Sequence, residues 1–177
     1  ARGKHGNGQP AATVNTVCVD CIAGKYSSAN GLNNGPCNNC GMGQYSTEIG
    51  ADERSACTGC QIGKYSTTLG ADNNDVCLKC DAGKYLDAMG SDNSADCKAC
   101  PAGYMSKSDG RPNCQPCGAG KFQLSENGQS CDKCMVGQYR SGEDKILTTC
   151  NTCPAGFVQG TKGQASCVSC QSGQYQA

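Results

Sequence analysis

Apolar residues in this chain come singly or in very short runs. The longest apolar stretches are three or four residues, and no useful length carries the 3.6-residue periodicity of an amphipathic helix. What recurs is an aromatic residue followed by a polar segment, as in YSTEIGADERSAC, YSTTLGADNNDVC and YLDAMGSDNSADC. In these copies one aliphatic side chain, Ile49, Leu69 or Met89, stands just before a Gly, and the surrounding Asn, Asp and Ser are turn formers. The pattern predicts two very short strands around a turn, repeated along the chain, with no stretch long enough to span a membrane.

The cysteines mark the period. They form nine C-x-x-C doublets with none left outside, starting every 17 to 20 residues. Three residues after each doublet comes a glycine: Gly24, Gly43, Gly63, Gly83, Gly103, Gly120, Gly137, Gly156 and Gly173. Lys or Gln and then an aromatic follow in seven copies, giving Tyr26, Tyr45, Tyr65, Tyr85, Phe122, Tyr139 and Tyr175; CPAGYM and CPAGFV bring Tyr104 and Phe157 one place early. Every Tyr and Phe of the protein sits in this slot. Gly is expected there for a positive φ or a close backbone approach, and the ring is expected against a disulfide as the main apolar mass of a miniature core.

Composition supports a cross-linked scaffold. Leu, Ile, Val and Phe together number 19 of 177 residues, too few for a conventional core, whereas Cys numbers 18 and Gly 25. Disulfides then replace the missing core and point to an oxidising compartment, the outside of a cell or the secretory lumen. Fifteen basic and fifteen acidic residues cancel and are scattered, which excludes the electrostatic footprint of a nucleic-acid or anionic-lipid binder. The fold class expected is small and disulfide-rich: a tandem array of 17–20-residue modules with short β-strands and turns, an elongated rod or solenoid without a conventional core. Its divisions are a partial repeat at 1–20, repeats at 21–39, 40–59, 60–79, 80–99, 100–116, 117–133, 134–152 and 153–169, and a partial repeat at 170–177.

A bridge within one C-x-x-C has the geometry of a redox motif and is disfavoured as a repeated structural device. Bonds between doublets enclose about 15 residues, each contributing about 3 kcal/mol by chain-entropy arguments. The doublet spacing also fits a zinc ribbon, but nine doublets do not divide into four-cysteine sites without remainder.

C-x-x-G-[KQ]-[YF] followed by a 13–16 residue loop and C-x-x-C resembles the cysteine-rich repeats of tumour necrosis factor receptors and the ephrin-receptor-like repeats of surface proteins. The resemblance covers nearly the whole chain. It implies bonds Cys21 to Cys37, Cys40 to Cys57, Cys60 to Cys77, Cys80 to Cys97, Cys100 to Cys114, Cys117 to Cys131, Cys134 to Cys150 and Cys153 to Cys167. Receptor domains usually interleave a second module with crossed bridges, and this chain repeats only the simple one. Cys18 and Cys170 are left over, unpaired or bonded between chains. ARGKH at residues 1–5 matches the IAGKY after Cys21 if His5 takes the aromatic slot, so the termini are expected to cut modules of a longer array, with a Cys170–Cys18 bond between subunits as the alternative.

Other chemistry is sparse. Asp72, Asp75, Asp92 and Asp96 offer oxygen ligands to calcium, with polar turn residues the plainer reading because other copies lack them. His5, the single histidine, has no nucleophile or metal partner in sequence, and no enzyme is expected. None of the thirteen Asn begins an N-x-[ST] sequon. Ser27, Ser46, Thr47, Ser66, Thr67 and Thr68 offer hydroxyls to O-linked sugar, the plainer reading being solvated turn positions. Lys25, Gln44, Lys64, Lys84 and Lys121 are expected to form an exposed row. The functional expectation is an extracellular structural repeat protein of a surface coat or extended filament, partnered by itself or by other surface and fibre proteins, without cofactor or metal. Similar repeats occur in protist surface antigens and flagellar hair proteins. A ligand-binding receptor ectodomain is the alternative, with CPAGYM and CPAGFV as its deviating copies.

Overall fold

A computed structural model describes residues 2–6, 18–29, 36–144 and 147–173. Among these the repeating element is a two-stranded antiparallel hairpin. Its first strand is the segment after the conserved Gly and its second lies within the next cysteine doublet. The chain divides into two compact units, Ala1–Cys80 with Leu86–Asp96, and Asp81–Tyr85 with Cys97–Ala177.

The first unit holds four hairpins: Lys4–Gly6 with Cys18–Asp20, Lys25–Tyr26 with Asn38–Asn39, Gln44–Tyr45 with Thr58–Gly59, and Lys64–Tyr65 with Leu78–Lys79. The second holds five: Lys84–Tyr85 with Lys98–Ala99, Tyr104–Met105 with Gln115–Pro116, Lys121–Phe122 with Asp132–Lys133, Gln138–Tyr139 with Asn151–Thr152, and Phe157–Val158 with Val168–Ser169. Residues 2–6 thus take the backbone role of a module's first strand: Lys4 pairs with Asp20 in register, Gly3 has φ +74°, and Cys21 N–H donates to the Gly3 carbonyl at 2.8 Å. Residues 7–17 of the partial repeat expected at 1–20 and the aromatic Tyr175 lie outside the described residues.

Eight disulfides close the modules. Seven join Cys21–Cys37, Cys40–Cys57, Cys60–Cys77, Cys100–Cys114, Cys117–Cys131, Cys134–Cys150 and Cys153–Cys167. Cys80 and Cys97 are also disulfide-bonded, and Cys18 and Cys170 are free thiols. The protein is a small, disulfide-rich array of tandem modules.

Two-residue strands are too short to be stable alone, and their main-chain groups are satisfied by neighbouring modules. In the first unit Gly24 N–H donates to the Ser46 carbonyl at 2.8 Å, Ser27 N–H to Ala51 at 3.0 Å, and Tyr26 bridges Ala51 in parallel. One period later Gly43 donates to Ser66 at 2.7 Å and Ser46 to Ala71 at 3.0 Å. The second unit repeats the scheme, with Gly120 donating to Arg140 at 2.8 Å and Gly137 to Gln159 at 2.8 Å.

Contacts also reach the next-but-one module. Gly50 N–H donates to Cys21 O at 2.7 Å, Gly70 to Cys40 at 2.9 Å and Gly90 to Cys60 at 2.8 Å, each tying a loop to the preceding module. The same loops stand against the turn glycines one module further back, where a Cβ on Gly3, Gly24 or Gly43 would lie within 2.2 Å of Gly50 O, Gly70 O or Gly90 O. The cause is the hairpin's size: two residues span about 7 Å, so a loop laid over one hairpin also reaches the one before it.

Loop length selects local structure. The 16-residue loops carry 3-10 turns at Arg54–Ala56, Asn74–Val76 and Ser94–Asp96. The 13-residue loop after Cys117 has none and is tied by Gln123, whose Nε2 donates to Ser130 O at 2.7 Å; Gln159 does the same to Ser166 O at 2.7 Å in the loop after Cys153.

Candidate functional site

The residue after Cys-x-x is the geometric centre of each module. Lys121 N–H donates to Gly118 O at 3.1 Å and Lys64 N–H to Gln61 O at 3.0 Å, closing four-residue turns with the conserved Gly third. Its φ lies between 70° and 87° in all nine copies, while among the described residues the only non-Gly residue with positive φ is Asn127. Positive φ at the third position alone defines a type II turn. Space is restricted as well: a Cβ on Gly24 would stand 2.2 Å from Gly70 O, on Gly43 2.1 Å from Gly90 O, and on Gly120 2.1 Å from Gly163 O. The turn glycine is therefore the point where a loop from two modules ahead lands.

The buried mass is largely cystine. Cys21, Cys40, Cys60, Cys100 and Cys134 are fully buried, Cys80 and Cys117 nearly so, and Ala51, Ala71 and Leu86 join them. The rings are not the core. Tyr26, Tyr45, Tyr65, Tyr85, Tyr104, Phe122 and Tyr139 are half-buried and Phe157 is exposed, because each lies on a two-residue strand of a narrow hairpin that cannot cover it. Lys98 Nζ stands 5.7 Å from the Tyr85 ring centre across one such hairpin.

The position that is buried was read in the sequence as solvated. It lies three residues after the Gly, where Ser27, Ser46, Ser66, Leu86, Ser106, Arg140 and Gln159 are all buried and Gln123 is half-buried. Ser27, Ser46 and Ser66 are thus corrected from open turn hydroxyls to interior ones, whereas Thr47, Thr67 and Thr68 are exposed. Ser46 Oγ accepts from Glu48 N–H at 3.3 Å and Ser66 Oγ from Thr68 N–H at 3.2 Å. The signal existed, since four copies carry Ser at that spacing. It was missed because only the packing of successive modules covers the slot. Lys25, Gln44, Lys64 and Lys84 are half-buried in their strands and Lys121 is exposed.

In one copy the slot holds a cation. Arg140 is 1% exposed, and its Nε donates to Lys121 O while Nη2 donates to Cys117 O and Gly118 O. The guanidinium braces the preceding module's turn with donors fixed in a planar fork. Replacing Arg140 by Ala is expected to lower stability by about 3 kcal/mol, the scale of buried carbonyls left without donors. Chemical denaturation of the two proteins measures this, and an unchanged midpoint would remove the bracing role.

The remaining candidates are plain in geometry. Asn73 Oδ1 accepts from Asp75 N–H at 2.8 Å and Asn93 Oδ1 from Ala95 N–H at 2.9 Å, so the Asp/Asn clusters organise 3-10 turns. Among the described residues no group of three or more His, Cys, Asp or Glu is placed to hold a metal, and the sulfur that a zinc ribbon needs is bonded to sulfur. Cys18 is exposed and Cys170 half-buried.

This arrangement defines a disulfide-rich tandem-repeat protein of the kind suited to an oxidising, extracellular environment. No protein-family model and no curated protein matches the chain.

Proposed function

We propose that the chain is an extracellular structural protein, non-enzymatic, that contributes to a surface coat or an extended filament. The observation that carries this reading is the docking scheme. Each module binds the next through main-chain donors and acceptors and its turn glycine makes room for the loop of the one after, so a copy of the module docks with little regard to its exposed side chains. Such a scheme extends by duplication, as in other quasi-one-dimensional repeat proteins. Kinship with the tumour necrosis factor receptor and ephrin-receptor-like repeats is part of the proposal, supported by the bond from the Cys before each G-x-[YF] to the next cysteine. The expected partners are further copies and other surface or fibre proteins, with exposed Thr47, Thr67 and Thr68 as acceptors for O-linked sugar.

A ligand-binding ectodomain is the second reading, favoured by a cavity beside the CPAGYM copy, lined by Met105 and Lys107. Electron microscopy of the native material separates the two. Regular filaments or a periodic surface layer are the expected result, and dispersed particles that bind a soluble ligand would overturn the structural reading.

A further inference from the structure

One cavity in the second unit combines charge, open donors and room. It has a volume of about 340 Å³ and is lined by Met105, Lys107, Ala119, Lys121, Gln129 and Ser130 among others, with no carboxylate among the described residues of its wall. Lys107 and Lys121 form no ion pair among the described residues, and Lys121 faces Lys133 across its hairpin, which adds to the positive field.

The turn at residues 118–121 supplies a directed donor. Gly118 O accepts from Lys121 N–H at 3.1 Å and from the Arg140 guanidinium. No peptide bond among the described residues is cis, so in the planar trans peptide the Ala119 N–H points opposite to that carbonyl. It has no partner among the described residues. A cation bonded to the carbonyl polarises the peptide and strengthens its N–H as a donor.

The protein itself shows what this donor takes. At the same turn position of an earlier copy, Ala82 N–H donates to the Asp109 carboxylate oxygen at 2.8 Å. Asp109 stands one residue before Gly110, whose φ is +72°. In this copy Gln123 N–H bonds Leu147 O, so the residue at Asp109's place in the sequence is Lys145, which carries no carboxylate. Ala119 therefore has the carboxylate-binding geometry without an internal carboxylate.

We infer that this cavity binds a small hydroxylated carboxylate, a single acidic sugar residue of the hexuronic type. Its carboxylate accepts from Ala119 N–H and lies between the Lys107 and Lys121 ammonium groups, while its hydroxyls meet Gln129 and Ser130. The volume sits at the lower end of small-molecule sites, about 300–1,000 Å³, and suits one ring. The inference does not depend on the filament reading, because it concerns a single chain in solution.

The test is an NMR titration of the oxidised 177-residue chain with sodium glucuronate, and with glucose as the neutral body of the same shape. Saturable shifts of the Gly118, Ala119 and Lys121 amides are expected with glucuronate at a dissociation constant of about 1 mM or tighter, and none with glucose. Ala119→Pro removes the donor at the second position of a type II turn, where Pro is favoured, so the fold is retained. That variant and the Lys107→Gln/Lys121→Gln double variant are each expected to weaken binding about tenfold or more. Absence of saturable shifts, equal response to glucose, or unchanged affinity in Ala119→Pro would each overturn the inference.

Discussion

Gly43→Ala is expected to destabilise the first unit by about 2–5 kcal/mol, whereas Gly137→Ala in the second should cost only about 1–2 kcal/mol. Both glycines have nearly the same backbone, with φ +74° and +76°, so the cost of a left-handed L residue is common to both. They differ in surroundings. A Cβ on Gly43 would lie 2.1 Å from Gly90 O and 2.7 Å from Gly90 C, while nothing lies within 4 Å of one on Gly137. The loop carrying Gly90 would have to lift, breaking its 2.8 Å bond to Cys60 O and the Ser66 N–H bond to Ser91 O. Denaturant titrations give the two losses, and amide exchange at Gly90 and Ser66 locates the first of them. Equal losses would mean that contact with the next-but-one module imposes no constraint.

Reduction is expected to abolish the fold outright. Each bond closes a loop of 14–17 residues, worth about 3 kcal/mol in the chain-entropy account, and the cystines are also the buried mass. Beyond them the described residues bury few apolar side chains, notably Ala51, Ala71 and Leu86. A reduced chain has no other core to fall back on. Removing a single bond in Cys60→Ala/Cys77→Ala is expected to cost about 3 kcal/mol or more, since fully buried Cys60 also leaves a void. Circular dichroism and amide exchange should show complete loss of structure with a thiol reductant and no change with a chelator. Retained structure after reduction, or unfolding by the chelator, would contradict a disulfide scaffold and return the cysteines to metal.

Much of the module was legible in the sequence because its causes are local. A type II turn needs a residue at positive φ in third place, and Gly120 after CGA or Gly63 after CQI announces it directly. The short strands around a polar turn follow from the lone aromatic and the Asn, Asp and Ser that succeed it. The 3-10 turns at Asn74–Val76 and Ser94–Asp96 were not anticipated, since they depend on a loop three residues longer than that of the module after Cys117.

The slot three residues after the Gly went unread for a different reason. Ser66 is 0% exposed because Ser91 and the loop around it close over it, and that loop belongs to the following module, 25 residues further on. Arg140 shows the same limit. In sequence it is a charged residue after an aromatic, and only the turn of residues 117–121 brought against it turns it into a brace.

The amino-acid sequence by itself determined the period, the turn at each glycine and the dependence on cystine, since all three rest on backbone geometry and chemistry within about twenty residues. Only the tertiary structure decided which residues are interior, that loops land on turn glycines two modules back, and that Lys107, Ala119 and Lys121 line one cavity. Those outcomes come from main-chain groups of hairpins too short to satisfy themselves. Their partners are chosen by stacking, and stacking leaves no mark on a sequence beyond the glycine that makes room for it.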